Sequence, residues 1–341
     1  MRGFRVFLAQ AGVLLMAGAL SASAQTKWQV LKTLPLGGAG GWDYVTVDAP
    51  HHRFFVTRGT HTMAVDETTG KVLADIPGQI HSHGVALVPE LGRGFITDGG
   101  GSGAIIVFDM KTYKVLGSLK AMPDADGIIY DAAAKKVVAT SGDGNALLTV
   151  SPDVNPKTGK LDAPIALGSG PEFLAADGTG RLYVNLPDKN EVAVVDMHTR
   201  KVVARWPVAP GGEPVGMAID PAAHLLFIGC RNPHMMIIMS TETGKVVASL
   251  PIGTHVDATR YAAGQAFASC GGDGTLAVVG KRDGKWVVEQ TVKTAVGART
   301  LGLDKSTKRI FLPTADFLPA AQGKRPEMKP GSFRVLEVGA K

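Results

Sequence analysis

Short apolar runs, separated by turns rich in Gly, Asp, Asn and Thr, recur along the chain from about residue 27 onward. A typical copy has two runs a few residues apart, as at residues 44–48 and 54–57. Runs of this length, enriched in Val, Ile, Leu and Phe, predict β-strands connected as meanders. Because no helical period of comparable strength appears, the pattern predicts an all-β protein.

The strand pair occurs seven times at matching positions. The copies begin at Asp43, His83, Asp126, Glu172, Val215, His255 and Arg299, at intervals of 40–46 residues. A third and a fourth strand follow, most clearly at residues 104–109, 191–196 and 201–206. Because units of four strands repeat at about 40–45 residues in propellers, the chain is predicted to be a seven-bladed β-propeller of four-stranded antiparallel blades.

The two ends of the repeat predict how the propeller closes. The last copy contains only three strands and ends with residues 333–338, whereas a spare strand at residues 27–34 precedes the first copy. If the N-terminal strand pairs with the C-terminal blade, the ring closes and hides edges that would otherwise template aggregation. We therefore expect residues 25–341 to form a single propeller domain.

The first 24 residues have the features of a secretory signal peptide. Arg2 and Arg5 precede an apolar run at residues 6–20, and Ala22 and Ala24 form a cleavage pattern. The run is shorter than the roughly 20 apolar residues that a membrane-spanning helix needs. We expect cleavage after Ala24, a periplasmic or secreted location, and no membrane span in the mature chain.

Composition and charge limit the partners. The chain has 43 Gly and is 6% aromatic, which suits many short strands joined by tight turns. The net charge of +6 falls to +4 once the two arginines of the signal peptide are removed, and it is dispersed. This balance disfavours nucleic acid as a partner. An unidentified periplasmic protein or a small-molecule ligand is expected instead, with a monomeric chain.

Two cysteines, Cys230 and Cys270, occupy the same position in adjacent copies. An exported protein can form disulfides. Equivalent positions in neighbouring blades, however, are expected to lie farther apart than the roughly 7 Å between Cα atoms that a disulfide allows. We favour two semi-buried thiols over a disulfide.

Several second strands share a signature close to Tyr-Val-Thr-Asn. It is seen at residues 54–57, 95–98 and 182–185, and an Asp precedes the following turn at Asp109 and Asp196. The chain therefore resembles the YVTN-repeat, YncE-like β-propeller family over essentially all of residues 25–341. The third and sixth copies and Pro313 depart from the signature. The resemblance implies the propeller fold and a funnel built by two sets of loops. A motif that is present in every blade does not by itself identify a substrate.

The residues just before the innermost strands, which we call the mouth positions, are mostly ionisable. Six of the seven carry an ionisable side chain in a chain that is only 19% charged. Carboxylates and imidazoles bind metals, and an arginine can hold an anion or neutralise neighbouring acids. We predict that Asp43, His83, Asp126, Glu172, His255 and Arg299 line a ligand site, and that all of these except Arg299 are candidate ligands for a divalent metal at the channel mouth. The alternative is a set of solvated charges that pair with one another.

The longest loop, residues 315–331, contains Lys324, Arg325 and Lys329 and is interpreted as a lid or partner-contact loop. Motifs for covalent haem, hydrolase elbows, zinc proteases and phosphate loops are absent from the sequence. Our leading hypothesis is an exported module that binds a ligand or protein through a polar central funnel, with no catalytic residue assigned. The alternative is a metal-dependent lactonase or lyase, in which the metal orients substrate and activates water at the channel mouth.

Overall fold

A computed structural model describes residue 3 and residues 27–319 and 326–341. The predicted signal peptide, apart from Gly3, therefore lies outside the described residues, as do positions 320–325 of the long loop. The described part of the chain contains 27 β-strands and three short 3-10 helices, so the fold is all-β. None of its helices is long and apolar enough to cross a bilayer.

Five sheets have four antiparallel strands each, and a sixth has seven. The seven-stranded sheet contains β2 (Val45–Asp48), β3 (Arg53–Thr57), β4 (Gly59–Asp66), β5 (Val72–Val88), β6 (Arg93–Asp98), β7 (Ala104–Asp109) and β8 (Val115–Lys120). The next two sheets contain β9 (Ala125–Asp131), β10 (Lys136–Ser141), β11 (Ala146–Val150) and β12 (Ile165–Ala166), then β13 (Leu174–Ala176), β14 (Arg181–Leu186), β15 (Glu191–Asp196) and β16 (Lys201–Pro207).

The remaining sheets follow the same order along the chain. They contain β17 (Pro214–Asp220), β18 (Leu225–Arg231), β19 (His234–Ser240) and β20 (Val246–Pro251), then β21 (Val256–Ala262), β22 (Gln265–Cys270), β23 (Thr275–Arg282) and β24 (Lys285–Lys293). The last sheet contains β25 (Gly302–Asp304), β26 (Arg309–Thr314), β27 (Arg334–Ala340) and β1 (Trp28–Pro35). The 3-10 helices are Ala49–His51, Pro89–Leu91 and Pro187–Lys189.

The seven-stranded sheet holds two of the predicted copies because β5 belongs to both. The sequence predicts separate strands at residues 71–76 and 84–88, with a loop between them. Instead, Ser82 pairs with Gly59 of β4 on one side and with Asp98 of β6 on the other. These pairings keep the backbone extended where the polar segment at residues 79–83 indicates a loop.

The predicted pairing between the two ends of the chain is present. Strand β1 runs antiparallel to β27, from Trp28 opposite Ala340 to Pro35 opposite Arg334. The indole of Trp28 packs edge-on against Phe267, with ring centroids 4.7 Å apart. The Gln290 side chain accepts from the Trp28 N–H at 2.9 Å and donates to its carbonyl at 2.7 Å. The N-terminal strand is therefore held by two neighbouring sheets.

The core lies between facing sheets, and the repeated second strand supplies much of it. Its aromatic side chains are almost fully buried: Phe54, Phe95, Tyr183, Phe227, Phe267 and Phe311. At the centre, the innermost strands of all seven predicted copies line one cavity. Four-stranded antiparallel sheets arranged in this way form a β-propeller.

Both cysteines are free, at equivalent ends of β18 and β22, so the prediction of two thiols is confirmed, but both are fully buried and not semi-buried as predicted. Burial raises the pKa of the Cys230 thiol to about 12, and that of the Cys270 thiol likewise to about 12. Buried thiols of this kind are inert because the thiolate is the reactive form.

Candidate functional site

The mouth positions are placed by a hydrogen bond that recurs between neighbouring copies. In four copies, a polar residue near the end of the second strand donates its side chain to the main-chain carbonyl of the next mouth position. Thr57 Oγ1 donates to His83 at 2.8 Å, Thr97 Oγ1 to Asp126 at 2.5 Å, Asn185 Nδ2 to Val215 at 2.8 Å, and Ser269 Oγ to Arg299. In these four copies one blade therefore fixes the strand entrance of its neighbour, and the repeat helps to determine where the functional candidates lie.

Three mouth positions form one compact cluster. His83 Nδ1 lies 2.7 Å from Asp43 Oδ2 and 3.3 Å from Asp126 Oδ1. One ligand atom from each of the three side chains can be chosen so that all lie within 4.8 Å of one another. All three side chains are largely buried, at 12–17% exposure. Among the described residues this is the group of acids and histidines whose spacing suits a metal ion.

The electrostatics of the cluster favour a proton on His83. Burial lowers its pKa, but the hydrogen bond to Asp43 and the nearby charge of Asp126 outweigh burial and raise the pKa to about 9. Burial, together with the charge of Asp43, raises the pKa of Asp126 well above its usual value, although the His83 charge opposes this. In the absence of metal, a protonated imidazole therefore bridges two crowded carboxyl groups.

A second charged group lies beside the first. The Asp257 carboxylate accepts from Arg231 at 2.5 Å and from Arg299 at 3.0 Å. Arg299 also approaches Asp43 to 3.8 Å and donates to the carbonyl of Trp42 at 2.7 Å. Arg299 thus neutralises neighbouring acids, one of the two roles predicted for it, and joins the two groups.

Glu172 and His255 occupy the predicted mouth positions but do not join the compact cluster. No hydrogen bond or ion pair reaches the Glu172 carboxyl from the described part of the chain. Burial and the charge of Asp257 raise its pKa to about 7, although Arg231 opposes this rise. His255 is exposed, has a φ of +52°, and lies with its ring centroid 6.3 Å from that of His234.

Tyr44 and Arg260, which were not among the residues predicted from the sequence, lie next to Phe173, which directly follows the mouth position Glu172. Tyr44 comes from the first copy and Phe173 from the fourth, yet their ring centroids are 5.1 Å apart. The Arg260 guanidinium lies 4.8 Å from the centroid of the Phe173 ring. Side chains from the first, fourth and sixth copies therefore meet at the Phe173 ring. Burial and the charge of Asp126 raise the pKa of Tyr44 well above its usual value.

Sequence signals for both residues exist. Tyr44 directly follows a mouth position, and Arg260 is a lone cation in the otherwise uncharged stretch from Ala258 to Ala262. A charged residue on a strand that faces a channel has to point at something other than the apolar core. The repeat register assigns the strand, but it does not show that two side chains from distant copies meet.

The described part of the long loop lies beside the mouth. Phe317 packs against Trp42 with ring centroids 6.0 Å apart and forms an isolated bridge with Met328. Asp316 pairs with Arg334 at 2.8 Å. The base of the loop therefore contacts Trp42, whose main-chain carbonyl accepts a hydrogen bond from Arg299. Lys324 and Arg325 of this loop lie outside the described residues.

Comparison with known proteins shows the fold. No family model matches the chain, and no curated protein does. Hydrazine synthase from Kuenenia stuttgartiensis is similar with a TM-score of 0.69 at 14% identity, covering 86% of this chain and 96% of that one. The WD40 β-propeller domain of Doa1 is similar with a TM-score of 0.70 at 13% identity, covering 91% and 96%. At such identities the likeness concerns architecture alone, and by that architecture the chain is a β-propeller.

Proposed function

We propose that the protein is an exported, monomeric binding module of the YVTN-repeat class, with seven blades in a closed ring, and that its channel mouth binds a divalent metal. Export is supported by the charged, apolar and small-residue pattern of positions 1–24. The family is supported by the signature in the second strands. The seven blades are supported by the seven sequence copies and by the innermost strands that share one cavity.

The observation that carries the metal site is the cluster of Asp43, His83 and Asp126. Their ligand atoms come from three different copies and fall within 4.8 Å of one another. A metal bound at roughly 2.0–2.2 Å to each donor needs only a small adjustment of this spacing. Two carboxylates and one imidazole suit Zn²⁺ or Mn²⁺. Three protein ligands leave a coordination position open, which an oxygen donor of a ligand in the funnel can occupy.

The metal takes the place of the His83 proton in this proposal. Coordination requires a neutral imidazole, so binding has to release the proton that the two aspartates hold in place. With a metal-free pKa of about 9, the proton competes throughout the neutral range. Affinity for the metal should therefore rise with pH up to about 9.

The test is metal binding by the purified protein after treatment with EDTA. Titration calorimetry with Zn²⁺ and Mn²⁺ should find one equivalent of at least one metal, bound more tightly at pH 8 than at pH 6. Asp126→Asn should weaken it by tenfold or more, because a ligand is lost and the imidazole loses one carboxylate partner. Asp143→Asn, in an exposed loop, is the matched control. Failure of both metals to bind, or equal binding by Asp126→Asn, would exclude the site.

Glu172 favours a second candidate, a metal-dependent lactonase or lyase. A carboxyl that has no partner among the described residues and has a pKa of about 7 is suited to accept a proton near neutral pH. If the metal polarises a carbonyl, Glu172 can act as the base beside it. Hydrolysis of a set of simple lactones by the metal-loaded protein should then fall at least a hundredfold in Glu172→Gln, while metal binding stays unchanged. Absence of turnover in the loaded wild-type protein leaves the binding module as the function.

A further inference from the structure

The lower channel is a cavity of about 480 Å³ below the Tyr44–Phe173 contact. Polar and apolar surface contribute comparably to its wall, and the half-buried Val47, Leu87, Ile129 and Ile219 are among the apolar lining residues. Its volume is within the range of small-molecule sites, about 300–1,000 Å³. None of the mouth positions is among the lining residues of this cavity, whereas Phe173 and Arg260 are.

Arg260 differs from the half-buried polar groups of this cavity because, within the described residues, only one of its donors is used. Thr46, Tyr130 and Tyr261 have partners, namely the Val85 carbonyl, Glu90 and Asp220. The Arg260 guanidinium donates one hydrogen bond, from Nη1 to the Thr259 carbonyl at 2.9 Å. Within the described residues no carboxylate lies within ion-pair distance of it. A guanidinium has five N–H donors, so four of them have no partner within the described residues.

The two arginines that are buried in the described part of the chain are satisfied internally, whereas Arg260 is half-buried. Arg53 pairs with Asp48 at 2.7 Å, and the Arg58 guanidinium donates to four backbone carbonyls. Burial lowers the pKa of Arg260 to about 10, which leaves it charged at neutral pH. An isolated charge in an apolar environment is costly unless an opposite charge or several acceptors meet it. The unpaired donors of Arg260 therefore indicate a place for a bound anion.

We propose that the lower channel binds a small amphipathic carboxylate, with its carboxylate on Arg260 and its apolar body along the channel. A carboxylate can accept two parallel N–H bonds from a guanidinium, which matches the unused donors. The apolar walls contact a hydrocarbon body. Arg260 is the half-buried cation of the lining, whereas the other charged lining residue, Lys305, is exposed, so one anionic group is expected at the buried end of the ligand. The expected ligand is thus a monoanion such as a medium-chain fatty acid.

The test is titration calorimetry of EDTA-treated protein with decanoate, and with decanol and butyrate as probes of each half of the ligand. Decanoate should bind at one site, more tightly than either. Arg260→Gln should weaken decanoate binding by at least about tenfold, because a charged hydrogen-bond pair is lost. Arg260→Lys should bind with intermediate affinity, since it keeps the charge but not the paired donors. Arg282→Gln, exposed on the same sheet, is the matched control.

Three results would overturn the proposal: no decanoate binding by the wild-type protein, equal binding by Arg260→Gln, or decanol binding as tightly as decanoate. Circular dichroism verifies that the Arg260 variants are folded, and Arg260→Lys carries the test if Arg260→Gln is not. Because no metal is present, these results are independent of the proposed site at the mouth. Loss of metal binding in Asp126→Asn together with intact decanoate binding would separate the two sites directly.

Discussion

Replacing Arg58 with Met is expected to destabilise the fold more than any exposed arginine substitution. Arg58 follows the signature of the first copy and is fully buried. Its guanidinium donates to the carbonyls of Gly37, Ala39, Gly40 and Gly41, each at 3.0 Å. It also stacks on the ring of Phe333 at 3.5 Å. One side chain thus ties the segment after β1 to the first and last copies.

The magnitude follows from these contacts. A net contribution of about 1 kcal/mol for each of four hydrogen bonds gives a loss of about 4 kcal/mol. For a large domain, about 2–4 °C of melting temperature is lost per kcal/mol, so we expect a fall of at least about 8 °C. The close packing leaves little room to adapt, since a Cβ on Gly40, whose φ is +88°, would lie 2.6 Å from the Arg58 carbonyl oxygen.

The assay is thermal unfolding by circular dichroism, with hydrogen exchange to locate the effect. Arg58→Met should speed exchange at residues 36–43, which lead into Asp43 and the mouth. Arg58→Lys should lose roughly half as much stability, because an ammonium has three donors and no plane to stack. The control is Arg282→Met, which should lie within about 0.5 kcal/mol of wild type. A melting temperature for Arg58→Met within 2 °C of that control would refute the reasoning.

Further predictions concern pH, ring closure and the thiols. In metal-free protein the pKa of His83 rises from about 6.5 in the unfolded state to about 9 in the folded state. The stability that the protonated His83 gives the fold is therefore full below pH 6.5 and is lost as the pH rises through 9. Urea unfolding should show this loss in wild type, up to about 3 kcal/mol, and a flatter profile in His83→Asn. Trp28→Ala should cost about 3–5 kcal/mol in the same assay, because a buried indole against Phe267 is removed; a cost below 1 kcal/mol would contradict the packing. Cys230 and Cys270 should not react with a thiol reagent in the folded protein, and both should react after unfolding.

The sequence predicts the fold well because its information is local and repeated. Strands such as Ala104–Asp109 and Glu191–Asp196 coincide with the predicted ranges, since apolar runs and turn residues mark their ends. The long strand β5 was predicted as two, because a polar segment can remain extended when it is paired on both sides. The pairing of β1 with β27 was predictable from the count of strands, without any local signal.

The candidate site was predicted by position but not by contact. His83 and His255 occupy equivalent mouth positions, yet His83 bridges two aspartates and His255 points to solvent. His255 has a left-handed backbone with a φ of +52°, a feature that an alignment of copies does not show. The meeting of Tyr44 with Phe173 likewise depends on how blades converge at the axis. A repeat register specifies which residues reach the channel, whereas side-chain direction depends on the backbone of each individual entrance.

The pairing of β1 with β27 also determines when the protein can finish folding. The chain is synthesised from its N-terminus, so β1 is made long before the strand that it pairs with. Contacts between the ends of a chain form slowly, and until then β1 and the last copy keep unpaired edges. A chain truncated before residue 334 would never cover them. Docking of β1 therefore distinguishes a complete chain from an incomplete one, and an unfinished molecule stays recognisable to chaperones and proteases by its open edge.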